Sequence, residues 1–361
     1  MKKFFFITSI FLIVSYQSFS QGCVAIRSNG VCTMDHPMGD TAARSWQLNT
    51  GYRYFKSFRH FRGKEEQKER LVAQTEVINW QSTLDISVVR QFNQRWSMSV
   101  GLPLVYNDRS SLYEHGRTER HVSTAASIGD LRIQANRWML DPVKATKGNF
   151  QAGLGIKLPT GAYQASDEFY NVGPGGTSEI RPVDQSIQPG DGGLGIITEL
   201  NGYLNFSARL GSYANLYYLL NPRETNGTRT YREVLSATLA NEAIMSVSDQ
   251  YMIRMGLSYE FEGRLKNFSA AAGGRMEGVP VYDLIGGSGG FRRPGYVISI
   301  EPGLRYRYNK LNFFASAPVA LSRNRTQSVT DKENSIIRNT FVNGDAAFAD
   351  YSLSLGFAYR F

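Results

Sequence analysis

Tyr351-Ser-Leu-Ser-Leu-Gly-Phe-Ala-Tyr-Arg-Phe361 alternates without a fault. Tyr351, Leu353, Leu355, Phe357, Tyr359 and Phe361 are apolar or aromatic, and the residues between them are small or polar. A period of two puts each set on its own face of a β-strand. An apolar face that runs to an aromatic last residue suits a strand that closes a transmembrane barrel against lipid. Phe361 is therefore a candidate carboxy-terminal assembly signal.

The other end of the chain agrees. Lys2 and Lys3 precede Phe4-Phe-Phe-Ile-Thr-Ser-Ile-Phe-Leu-Ile-Val14, which is too short to span a bilayer as a mature helix. Ser18-Phe-Ser20 supplies small residues before Gln21, so residues 1–20 read as a cleaved secretory signal peptide. Cleavage removes Lys2 and Lys3 and lowers the formal charge from +9 to +7. A lipid anchor on Cys23 would need a Leu three residues before it, and Ser20 stands there. Cys23 and Cys32 are the only cysteines, and in an oxidising compartment a disulfide between them is the default. A metal site with Asp35 and His36 would need both thiols reduced.

No apolar run of about eighteen residues follows the leader, which excludes transmembrane helices. Abundant Gly (35), Tyr (20) and Phe (21) suit a barrel with a polar interior and an apolar exterior. The arginines are scattered with no motif to organise them, so nucleic acid is not an expected partner. Residues 21–45 read as a short periplasmic lead, with a plug entering the lumen as its other possible role. Residues 46–361 read as an all-β, antiparallel up-and-down barrel of about twelve strands, ten or fourteen being the alternatives.

The twelve segments start at about 46–56, 74–91 and 95–107, then continue from Leu131, Phe150, Leu194 and Phe206. The eighth is read at Leu235 to Val247, the ninth at Tyr251 to Phe261, and the tenth and eleventh from Tyr296 and Leu311. Connections after even-numbered strands are short, such as Asn93-Gln94, Ser248-Asp249-Gln250 and Asn309-Lys310. Those after odd-numbered strands are long and polar, at about 57–73, 108–126, 161–191, 221–232, 262–294 and 322–346. Short periplasmic turns and long outer loops are what outer-membrane barrels show.

Parity then assigns Arg53, Asp85, Arg132, Lys157, Glu199, Arg209, Glu242, Arg254, Glu260, Glu301, Arg305 and Arg307 to the lumen. A charge facing lipid at mid-depth costs about 2–4 kcal/mol, so an inward placement is required. These residues either line a water-filled path or pair into a network that fills a narrow barrel. The Gly- and Pro-rich 161–191 loop either folds inward as a constriction or stays outside.

Three stretches carry a family resemblance: Ser127-Ile-Gly-Asp-Leu-Arg132, Gly153-Leu-Gly-Ile-Lys-Leu-Pro-Thr-Gly161 and Gln188-Pro-Gly-Asp-Gly-Gly193. Together they resemble the barrel family named after the meta-pathway of phenol degradation, over roughly 95–220. The resemblance implies an outer-membrane transporter-type barrel for small solutes, with hydrophobic or aromatic compounds as the class. It supplies no ligand residues and no cofactor. The lead and Gln21 resemble exported proteins of Bacteroidetes-type bacteria. Expected partners are outer-membrane lipid and lipopolysaccharide, the barrel-assembly machinery through the last strand, and small-molecule solutes.

Two other functions stay open. A structural or adhesive barrel would have a closed lumen. An outer-membrane lipase is similar in size and uses a His-x-Ser pair with a supporting Asn, and this chain has His121-Val-Ser123 and Asn136. Extrapolated parity places His121 and Ser123 on the lipid face and Asn136 on the lumen face, so catalysis is not expected. His115 and His121 read as solvated loop residues, not metal ligands.

Overall fold

The computed structural model describes residues 44–231, 235 and 237–361; the signal peptide, Cys23 and Cys32 lie outside them. The described residues form a closed barrel of twelve antiparallel strands, in agreement with the count expected from the sequence. They are β1 (Trp46–Arg62), β2 (Ile78–Gln91), β3 (Trp96–Ser111), β4 in two pieces (His121–Ile128 and Leu131–Trp138), β5 (Gly148–Leu158) and β6 (Gly195–Asn205). Then come β7 (Leu210–Leu220), β8 (Gln250–Glu260), β9 (Phe268–Val279), β10 (Gly295–Tyr308), β11 in two pieces (Leu311–Ser316 and Val319–Arg325) and β12 (Ala346–Arg360). β1 pairs with β12 from Gln47 opposite Arg360 up to Phe61 opposite Ala346, which closes the sheet and leaves no edge.

Every strand turns one face outward, and that face is apolar. Leu104, Leu154, Leu200, Leu257, Leu304 and Leu355 all lie bare on the outer wall, Leu154 at 63% exposure. Polar and charged side chains fill the inner face. Such an inside-out distribution is stable only when hydrocarbon surrounds the barrel. No helix among the described residues is long and apolar enough to cross a membrane.

Connections at one end are short, with turns at 92–95, 206–209 and 309–310. The other end carries long loops. One holds α1 (Lys68–Val72) and another holds α2 (Val329–Ile337), which is closed by a Ser328–Asp331 capping box.

Twelve was reached from the sequence through two errors that cancel. The segment from Leu235 to Val247 is not a barrel strand. It holds a 3-10 turn (Ala237–Glu242) and a short strand (Ile244–Ser246) that pairs with Thr225–Arg229 in the loop after β7. The barrel strand missing from the sequence reading is β9, inside the segment assigned to a 262–294 loop. Its outward residues include Ala270, Ala272 and Gly274, too small to register as an apolar face. The turn after β8 is accordingly 261–267, and Ser248-Asp249-Gln250 is not a turn between barrel strands.

On the inner face of β9, Gly273 has a packing reason. Tyr213, Gly256 and Gly273 stand opposite one another across β7, β8 and β9. A Cβ on Gly256 or Gly273 would come within 2.6 or 2.7 Å of the Tyr213 hydroxyl. The Tyr213 ring thus lies flat over a glycine groove. Phe314 of β11 does the same over Gly356, where a Cβ would approach the ring to 2.4 Å. Tyr213 packs on Ala271 and Phe314 packs against that pair, and each of the three is the fourth residue from the short-turn end of its strand. An aromatic constriction therefore sits near that end of the lumen.

Candidate functional site

The inner wall carries most of the charged set expected from parity. Arg132, Lys157, Glu199, Arg254, Glu301 and Arg305 are buried. Arg53 and Asp85 line a central cavity of about 110 Å³ together with Arg254, Arg275, Glu301 and Phe314. Glu260 accepts from Arg305 at 3.0 Å, and Arg307 follows on the same strand face opposite Asn312. Two expected residues lie elsewhere. Arg209 sits in the turn before β7, half exposed and paired with Glu262 at 2.5 Å. Glu242 belongs to the 3-10 turn in the loop, because that segment is not a barrel strand.

Arg275 and Glu277 were missed with β9, although they complete the central network. Arg254 donates twice to Glu301, at 2.8 Å each, while Arg275 approaches Glu301 at 3.7 Å and donates to Glu277 at 2.7 Å. Glu199 accepts from Gln134 and Asn215, both at 2.9 Å. Buried charges persist only when their lone pairs and protons are met in this way.

The three stretches behind the family resemblance meet in space where the break in β4 lies beside the long-loop ends of β5 and β6. Asp130 accepts from the Gly161 amide at 3.0 Å and the Asp191 amide at 3.2 Å. Lys157 donates to Asp191 and lies 3.9 Å from Asp130. A Cβ on Gly161 would fall 2.7 Å from the Gly129 backbone, and one on Gly190 would fall 2.8 Å from Gly161. These glycines therefore let three backbones touch, and the node anchors both ends of the loop between β5 and β6.

That loop folds into the barrel. Val183, Asp184 and Ile187 have no exposed surface. Inward side chains of the wall hold its backbone: Gln81 donates to the Ser186 carbonyl at 2.9 Å and Asn107 to the Ile187 carbonyl at 3.0 Å. Asp184 accepts from Arg293 of the loop after β9 at 2.8 and 2.6 Å and lies 3.4 Å from Arg109 of β3. Burial alone would raise the Asp184 carboxyl, but Arg109 and Arg293 outweigh it and hold the group well below the usual carboxylate range. Arg109 is held from its other side by Glu114, at 2.6 Å at its closest. A chain of charges thus crosses the barrel from wall to loop to loop. Above it opens a mouth cavity of about 660 Å³.

His121 and Ser123 face inward, not toward lipid. Val122, Ala126 and Ile128 are the exposed residues of that half strand, and Ser123 is fully buried opposite Arg109. The break at Gly129-Asp130 inserts one residue between outward-facing Ile128 and Leu131, so parity changes across it. Asn136 lies thirteen residues further along β4, roughly 40 Å away at strand spacing, out of reach of Ser123. The nearest imidazole to Ser123 is His115, buried by the loop, at 3.4 Å from Nε2. His115 Nδ1 accepts from the Tyr170 amide at 3.1 Å, so the ring proton sits on Nε2 and is donated to Ser123. A base for serine needs the opposite tautomer. Burial first, then His121, lowers the His115 pKa to about 4, against a smaller opposing effect of Asp167. Among the described residues no cluster has the make-up of a metal site.

No protein-family model and no curated protein sequence matches this chain. Solved structures do. The toluene transporter TodX of Pseudomonas putida aligns over 95% of this chain and 96% of its own at 8% identity and a TM-score of 0.40. The translocator domain of the autotransporter NalP from Neisseria meningitidis aligns over 90% and 91% at 14% identity and a TM-score of 0.41. An outer membrane channel from Pseudomonas putida F1 aligns over 92% of this chain and 100% of its own, at 10% identity and a TM-score of 0.60, and shares with it the fold of a closed outer-membrane-type barrel.

Proposed function

We propose that this chain is an outer-membrane channel that passes small solutes and is held narrow by its own loop. The observation that carries this reading is a lumen walled by ionisable side chains, with a cavity at the mouth and another at the centre. A barrel needing only to be stable would gain by filling that space with apolar residues, since buried ion pairs are weak sources of stability. In this reading the charged wall residues from Arg53 to Arg305 form the path, and the long loops face the outside. Hydrophobic or aromatic compounds are the solute class, as the family resemblance implies and as the toluene transporter among the structural neighbours suggests. Lipid and lipopolysaccharide surround the wall, and the assembly machinery takes up the strand ending in Phe361. The leader and the 21–45 lead, with its Cys23–Cys32 disulfide, fit a Bacteroidetes-type exported protein.

The dense pairing inside favours one competing reading, a structural barrel with a sealed lumen. Conductance of the refolded protein in a planar bilayer separates the two. Discrete steps altered by charge reversal at Arg254 support a path. A folded, heat-modifiable barrel that stays silent, also after Asp184→Ala, supports the sealed barrel.

A further inference from the structure

We propose that the mouth cavity is a binding site for a small aromatic carboxylate, with Arg117 receiving the carboxylate and Tyr113 the ring. This rests on the channel reading only in naming its solute, and it is tested separately from passage. The cavity's volume of about 660 Å³ lies within the range of small-molecule sites. Five guanidinium groups line it, from Arg70, Arg109, Arg117, Arg181 and Arg293. Four are matched by carboxylates. Arg70 meets Asp345, Arg109 meets Glu114, Arg181 meets Glu179 at 2.7 Å, and Arg293 meets Asp184 at 2.6 Å. Arg117 has no carboxylate among the described residues; its guanidinium carbon lies 5.5 Å from the Tyr113 ring centre.

The backbone fixes Arg117 at a cost. It holds a left-handed φ of 64°, directly after Gly116 at φ 69°. A Cβ on Gly116 would lie 2.3 Å from the Asn171 carbonyl oxygen, so the turn is pressed against the opposing loop. A non-glycine residue kept in this region is strained, and such strain collects at ligand clamps. The Arg70 guanidinium carbon also lies 5.3 Å from the Tyr113 ring centre. Tyr231, stacked on Phe169 at 6.1 Å, and Val172 continue an apolar wall beside it. A planar anion satisfies both features: its carboxylate makes a charge-assisted pair with Arg117 and its ring covers the tyrosine face.

The test is equilibrium binding of sodium benzoate to the refolded mature chain in detergent, with neutral benzamide as the isostere. We expect benzoate to bind about tenfold more tightly than benzamide. Arg117→Gln should remove that difference, Arg117→Lys should keep part of it, and Tyr113→Leu should weaken both ligands. Heat-modifiable mobility confirms that each variant is folded. Equal affinity of the wild type for the two ligands, no benzoate binding, or an unchanged affinity in Arg117→Gln would each overturn the site. Conductance without any benzoate preference leaves the channel reading standing and removes this one. Benzoate preference in a silent barrel does the reverse.

Discussion

The charges at the centre of the lumen and those at its mouth use the same chemistry in different ways. At the centre, Arg254, Arg275 and Glu301 belong to β8, β9 and β10, which are hydrogen-bonded neighbours in one wall. Their pairs run along the wall and leave a cavity in front of them. At the mouth, Asp184 joins Arg109 of β3 to Arg293 of a loop on the far side of the chain. That pair spans the space instead of lining it. Ion pairs within a wall keep a path open, and ion pairs across it close the path.

Four experiments probe this contrast. Glu301→Ala leaves two guanidiniums buried in a wall that cannot rearrange, and should cost about 3–5 kcal/mol, read as the urea midpoint of the refolded barrel. Replacing Arg254 and Glu301 together by Met should recover most of the loss. Gly256→Ala should cost about 1–3 kcal/mol, because its Cβ would meet the Tyr213 hydroxyl and the Ala272 carbonyl, both at 2.6 Å. Adding Tyr213→Ala should remove part of that cost, a non-additivity expected of touching residues.

Asp184→Ala should cost less, because a released loop can rehydrate, yet it should raise conductance several-fold where Glu301→Ala does not. Equal effects of the two on conductance would erase the contrast. Since Asp184 titrates below its ordinary value, its contribution is complete at neutral pH and is lost only as acid carries the solution through the lowered value. Conductance should therefore hold steady from neutral pH down to the ordinary carboxylate range and rise only below it.

The smallest expected effect belongs to His115. Its folded pKa of about 4 lies below the ordinary 6.5, so the unfolded state binds more protons between those values. Protection of the mouth against proteolysis should fall as pH drops through that window, and His115→Gln should flatten the response.

Much of the architecture was legible because lipid demands it. An outer face that must be apolar forces a period of two, and β12 shows it without a break from Tyr351 to Arg360. Where packing overrode the pattern, the sequence was silent. β9 carries Ala270, Ala272 and Gly274 on its outer face, so it resembled a loop and took Arg275 and Glu277 with it. β4 changes parity at Gly129-Asp130, which sent Ser123 to the wrong face. The 183–188 segment was readable only as a Gly- and Pro-rich connection. Its inward course depends on Gln81, Asn107 and Arg109, partners about 80 to 105 residues away in sequence. Arg117 gave no sequence signal, since its importance lies in a backbone angle and in the carboxylates that pair with its neighbours.

The tucked loop also determines what the outside world can touch. The connection between β5 and β6 is the longest of the described loops, yet its Val183 to Ile187 segment is sealed inside. The apolar side chains presented at that end include Leu284, Ile285, Ile336, Ile337 and Phe341, from the two loops that flank β10 and β11. A macromolecule that approaches from that side therefore meets those tips first. Substitutions there touch no wall contact, while the segment around Asp184 is constrained by the wall it grips.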